Sequence, residues 1–214
     1  MRWNVGEILD AVADGLAAVC RGHDQEQSVY GLDALDELRL HPLIVGALRD
    51  AGFGVWPEQR YPSDRTGRRS KSLGRRCDLV LTPDGRPLLE PEAERTLFGD
   101  DQAVPLEAAY WLEVKTVAQF TMDGPFARYS AELLSPVSQD IRKLSGDRLI
   151  FHAGLLLVLF TADRSTAEHD LRAWESRCLD KGYAVAPPLV RHIPIADRLG
   201  NAHLALAVYP VRRL

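Results

Sequence analysis

Tyr110 to Thr116 read Tyr-Trp-Leu-Glu-Val-Lys-Thr, with apolar Tyr110, Leu112 and Val114 alternating with Trp111, Glu113 and Lys115. Alternate residues of a strand share a face, so the Glu113 carboxylate and the Lys115 ammonium stand on the same side. A second alternating run, Arg75 to Leu81, sets Cys77, Leu79 and Leu81 one way and Asp78 the other. If the two strands pair with their apolar faces on one core, Asp78, Glu113 and Lys115 converge on the opposite face. Two carboxylates and the Val114 carbonyl would form an oxygen half-shell for a hard cation of the magnesium type, with water and phosphate oxygens completing it. Lys115 could then orient an attacking water and offset transition-state charge. A bare Glu-x-Lys is equally the surface ion pair of a half-exposed sheet. It is Asp78 on the neighbouring strand that favours the metal site.

Arg60, Arg65, Arg68, Arg69, Lys71, Arg75 and Arg76 crowd into seventeen residues opposed only by Asp64. Such a run repels itself, and is either a solvated loop or an anion-binding surface. Because it leads directly into the Asp78 strand, phosphates drawn to it would lie beside the proposed cation. The competing partner for these charges is the segment from Thr82 to Ala108, which holds seven acids against two arginines and is expected to be a solvated excursion. Further on, Asp140 and Lys143 fall three residues apart on an expected helix, so they share one face. That helix could present Gln139 or Lys143 to the site, and an ordinary intrahelical ion pair is the alternative. Glu58, at the end of an expected strand, could approach the cation from the side or simply face solvent.

The elements that must position these groups follow from periodicity. Asn4 with Glu7 resembles a capping box, and Ile8, Leu9, Val12, Leu16 and Val19 form an apolar stripe, predicting a helix from about Val5 to Cys20. A second helix from Leu32 to Ala51, carrying Leu35, Leu38, Leu43, Ile44 and Leu48, should bend near Pro42 and close at Gly52. Phe53 to Tyr61 reads as a strand. Ser130 to Leu144 reads as a helix entered or kinked at Pro136, and Leu149 to Thr161 as a central strand covered on both faces. Ser165-Thr166-Ala167-Glu168 predicts a capping box for a helix ending at Lys181-Gly182, before closing strands at Leu189–Ile195 and His203–Val211.

With 214 residues, 46% hydrophobic and 26% charged, the chain suits one domain over residues 1–214. Residues 1–31 form an N-terminal helical extension and 82–108 an insertion between two core strands. The net charge of −4 gives no support to nucleic-acid binding by itself. Cys20, Cys77 and Cys178 lie far apart in apolar surroundings, as buried thiols of a reducing, cytoplasmic compartment would. No apolar run is long enough to span a bilayer, so no membrane partner is expected. Phosphate loops, serine elbows, dinucleotide fingerprints and metal-binding histidine spacings are absent.

Asp78, Glu113-Val114-Lys115 and the surrounding helix–strand–strand–strand–helix–strand order, from about Asp36 to Ala162, resemble the PD-(D/E)xK nuclease superfamily. The proline usual before the aspartate is replaced here by Arg76-Cys77. The resemblance implies a restriction-endonuclease-like α/β sandwich, a central mixed sheet flanked by helices. It implies Mg2+-dependent phosphodiester hydrolysis, with Mn2+ able to substitute, Asp78 and Glu113 as metal ligands and Lys115 as the catalytic lysine. Many members also carry an active-site glutamate on the helix before the sheet, which assigns that role to Glu37. The expected function is a nuclease for DNA, double-stranded in the first instance, of an antiviral defence or repair system. A symmetric homodimer would serve to cut both strands, and partner proteins of such a system are expected. The alternatives are a non-catalytic nucleic-acid-binding or assembly module on the same fold, and a nuclease for RNA or for branched or single-stranded DNA.

Overall fold

The computed structural model describes residues 3–65, 76–89, 102–134 and 137–213. It opens with helix α1 (Val5–Gln25), whose Asn4 side chain accepts from the Gly6 N–H and buries Ile8, Leu9, Val12, Leu16 and Cys20 along one stripe. α1 runs five residues beyond the expected end at Cys20. A 3-10 turn (Leu32–Ala34) precedes α2 (Glu37–Asp50), which begins where the Asp36 carboxylate caps the Arg39 N–H at 2.8 Å. The second expected helix is therefore two elements, and Leu38 stays 84% exposed instead of joining the stripe. Pro42 lies inside α2, where it removes the bond its N–H would make to the Leu38 carbonyl.

Strand β1 (Gly54–Arg60), a short helix α3 (Pro62–Arg65) and β2 (Arg76–Thr82) follow. β3 (Tyr110–Ala118) leads into a two-stranded ribbon, β4 (Phe120–Thr121) with β5 (Gly124–Pro125), that periodicity did not reveal. α4 (Tyr129–Leu134) and α5 (Val137–Gly146) come next, and the expected kink at Pro136 lies outside the described residues. β6 (His152–Thr161), α6 (Arg164–Asp180), β7 (Leu189–Pro194) and β8 (His203–Val211) complete the chain. The cap of α6 is Asp163, which accepts from the Thr166 N–H at 2.8 Å, so the helix starts ahead of the predicted Ser165 box.

Six strands form one mixed sheet in the order β1-β2-β3-β6-β8-β7. β3 and β6 run parallel and every other neighbouring pair is antiparallel. Helices flank both faces. α1 and α2 close a core of Ile8, Leu16, Leu40, Ile44, Leu112 and Leu156. α4, α5 and α6 close the other, with Val80, Trp111, Leu155, Trp174 and Tyr209. Among the described residues no helix is long and apolar enough to cross a membrane.

This two-sided burial corrects the expected open polar face. Residues on the Glu113 side of β2 and β3, including Val80, Trp111 and Val117, are buried under helices. Trp111 belongs to that core, its indole N–H donating to the Leu106 carbonyl at 2.9 Å. Cys77 also departs from the expected alternation, since it joins the core opposite to that of Leu79 and Leu81. The acidic insertion is more than a solvated excursion: Leu88, Val104 and Leu106 bury at 8%, 1% and 8% exposure, and Leu88 bridges Val104. Glu90, Glu92, Glu94, Asp100 and Asp101 lie outside the described residues.

Candidate active site

The β2–β3 ladder stops where the chemistry begins. Its rungs are Leu81↔Tyr110, Val80↔Trp111 and Leu79↔Leu112, and the next step of that register would set Asp78 opposite Glu113. Instead, Asp78 Oδ2 accepts the Val114 N–H at 2.8 Å, so a side chain takes the place of the missing backbone partner. The N–H and C=O of one strand residue point to the same side, so the Val114 carbonyl faces the same gap. The splay also accounts for Cys77, which leaves the alternation at this point.

Glu113 is 3% exposed. The Tyr61 hydroxyl donates to its Oε1, and Lys143 Nζ lies 3.8 Å from that oxygen. Lys143 is itself held by Asp140 at 2.6 Å. Burial, then the charge of Asp78 and a hydrogen bond shared with it, push the Glu113 carboxyl up to about 9, with Asp140 adding to the effect. Burial foremost, with Cys77 and Glu113 nearby, keeps the Tyr61 phenol protonated far above its ordinary range.

Further along β3, Glu37 Oε2 accepts from Lys115 Nζ at 3.0 Å and from the Thr116 N–H at 3.3 Å. Glu37 reaches this point because it is the first residue of α2, directly after the Asp36 cap. It therefore anchors the lysine and does not extend the carboxylate pair. Glu58 occupies the rung of β1 facing Asp78, between the pairs Pro57↔Leu79 and Gln59↔Cys77. Its side chain is exposed and its φ of 54° is left-handed, a strained backbone at about 1–3 kcal/mol. Gln139 is exposed on α5, whereas Asp140 and Lys143 turn inward.

The expected basic surface is described only at its root. Arg60 and Arg76 are exposed register partners at the last rung of the β1–β2 pair, and the Arg76 guanidinium donates to the Glu58 carbonyl at 3.4 Å. Arg68, Arg69, Lys71, Arg75 and the Arg65 side chain lie outside the described residues.

The donor chemistry fits a hard divalent cation. Among the described residues no three His, Cys, Asp or Glu side chains are disposed to hold a metal ion. Two acidic side chains plus one carbonyl leave the remaining positions to water and phosphate oxygens, the pattern of magnesium rather than of structural zinc. Glu113 points the same way, because burial first and the charge of Asp78 second hold it protonated, and a cation between the two carboxylates would oppose both. Sequence reasoning missed Tyr61. It lies 52 residues from Glu113 with no periodic relation to it, and only its place as the first residue after β1 could have drawn notice.

The sequence matches no protein-family model and no curated protein, and the fold matches no solved structure.

Proposed function

We propose that this chain is a metal-dependent nuclease that hydrolyses DNA phosphodiester bonds, on a restriction-endonuclease-like sandwich of the PD-(D/E)xK kind. The observation that carries the reading is that the β2–β3 ladder stops at Asp78 and Glu113, where Asp78 takes the Val114 N–H and Lys115 follows next along β3. Asp78, Glu113 and the Val114 carbonyl hold Mg2+, for which Mn2+ can substitute. When bound, the cation supplies Lewis-acid polarisation of a phosphoryl oxygen. Lys115 donates to the attacking water and to the phosphate, offsetting charge as the P–O bond breaks in line. Glu37 fixes the direction of that ammonium. Arg60 and Arg76, on either side of the arginine-rich stretch of sequence, draw the phosphate backbone towards the gap. Duplex cleavage on both strands calls for a second copy of the chain, related by a two-fold axis.

The test is incubation of the purified chain with plasmid, linear duplex, single-stranded DNA and RNA, in Mg2+, Mn2+ or EDTA. Cleavage of DNA with either metal, lost in EDTA and in Asp78→Ala and Lys115→Ala, is the expected result. Cleavage that persists in EDTA removes the mechanism. Salt-sensitive duplex binding with no cleavage of any substrate makes the chain a binding module, and cleavage confined to RNA or to single strands reassigns the substrate.

A further inference from the structure

The two oxygens of the Glu113 carboxylate are not equivalent. Oε1 receives the Tyr61 hydroxyl and has Lys143 Nζ 3.8 Å away, so the phenol and the ammonium address the same oxygen, and the carboxyl's further hydrogen bond is to Asp78, its partner in the proposed site. Tyr61 has little freedom to leave. It is 4% exposed, and its ring stacks on Trp111 with centroids 5.9 Å apart and planes 26° from parallel. Trp111 is pinned in turn by its bond to the Leu106 carbonyl. Two residues beyond Tyr61, the Ser63 N–H and hydroxyl both donate to Asp147 Oδ2, at 3.0 and 2.6 Å. Asp147 is itself buried and takes the Leu149 N–H on its other oxygen at 2.9 Å. The backbone carrying Tyr61 is therefore fastened on both sides, by the end of β1 before it and by Ser63 after it.

We infer that Tyr61, with Lys143 behind it, is a positioning residue that fixes the Glu113 carboxylate by Oε1 and so reserves Oε2 for a divalent cation shared with Asp78. This rests on the metal-site reading above. A carboxylate free to rotate in its pocket must lose that freedom when it coordinates; one already held by a rigid phenol loses little. The hydroxyl is the only part of Tyr61 that does this work, because the ring's packing on Trp111 needs no oxygen. Tyr61→Phe therefore separates the hydrogen bond from the packing.

The experiment is calorimetric titration of MgCl2, and separately of MnCl2, into the wild-type chain and Tyr61→Phe without DNA. The melting temperature of each in EDTA serves as the check on folding. The expected result is a roughly 10- to 100-fold weaker metal affinity for Tyr61→Phe with a similar melting temperature. A purely structural Tyr61 would move the melting temperature and leave the affinity alone. Equal affinities for wild type and Tyr61→Phe overturn the positioning role while leaving the metal site intact. A wild-type chain that binds neither ion overturns the site itself and this inference with it. Should Tyr61→Phe not melt cooperatively, Lys143→Gln carries the test by disturbing the same oxygen from the other side. Weakened affinity there supports the inference, and unchanged affinity overturns it.

Discussion

Strand β3 has two edges, and they behave in opposite ways. Towards β6 it runs in register from Tyr110↔His152 to Ala118↔Phe160, with the β6 side chains from Leu155 to Phe160 fully buried. Towards β2 the register ends at Leu79↔Leu112, and the next positions hold Asp78 and Glu113. The paired edge satisfies its backbone through the ladder and fills its flanks with hydrocarbon. The open edge leaves the Val114 N–H to a side-chain carboxylate and gathers Glu113, Lys115, Asp140 and Lys143 around the break. One strand thus carries stability on one side and chemistry on the other. Substitutions at the open edge should remove activity at little cost in folding, and substitutions at the paired edge the reverse.

The largest expected effect is at the open edge. Asp78→Ala should lower DNA cleavage by on the order of a thousandfold or more and abolish Mg2+ binding, read by cleavage rate and calorimetry. Lys115→Ala should cost roughly 100- to 1,000-fold in rate while leaving metal affinity near wild type, which separates the lysine from the ligands. Loss of metal binding in Lys115→Ala would blur that division.

A pH series probes the same edge. The Glu113 carboxyl is raised from 4.5 to about 9 in the folded chain, so folding favours its protonated form. Its contribution to stability is full below the lower value and is lost as pH rises through the upper one. Without divalent metal, the melting temperature should fall across this window. Glu113→Gln, neutral throughout, should fall less steeply. Equal slopes for the two would mean that Glu113 ionises normally.

At the paired edge, Gly154 faces Tyr110, and a Cβ there would collide with the Tyr110 hydroxyl. Gly154→Ala should cost about 1–3 kcal/mol in denaturant unfolding and leave Mg2+ affinity unchanged. A matching loss of affinity would show that the two edges are not independent. The smallest effect belongs to Glu37→Gln, which retains an acceptor for Thr116 but loses the charge facing Lys115. The pair is partly solvated, at 22% and 38% side-chain exposure, so stability should change by less than about 1 kcal/mol. Cleavage should slow by about tenfold as the ammonium loses its direction.

How much of this was legible in the sequence follows from what each feature depends on. Alternation depends on local backbone geometry, so Asp78 could be set against Glu113 across neighbouring strands from residue order alone. The same reasoning failed at Cys77, because alternation assumes an unbroken ladder and this ladder breaks at Asp78. It also expected an exposed polar face, since nothing in β3 announces that α4, α5 and α6 will cover Trp111 and Val117. Glu37 could be named from the family resemblance, but its role as the anchor of Lys115 depends on where α2 starts, which Asp36 decides. Tyr61 was invisible because its contact to Glu113 is made by tertiary packing and leaves no local pattern. Capping pairs were misplaced for a related reason: Asp163 and Ser165 both suit a helix start, and the exit of β6 selects between them.

Anomalous diffraction from crystals soaked in MnCl2 decides whether the break in the β2–β3 ladder is a divalent-cation site. A manganese peak is expected between the carboxylates of Asp78 and Glu113, beside the Val114 carbonyl. A chain that takes up manganese elsewhere, with no peak in that gap, would contradict it.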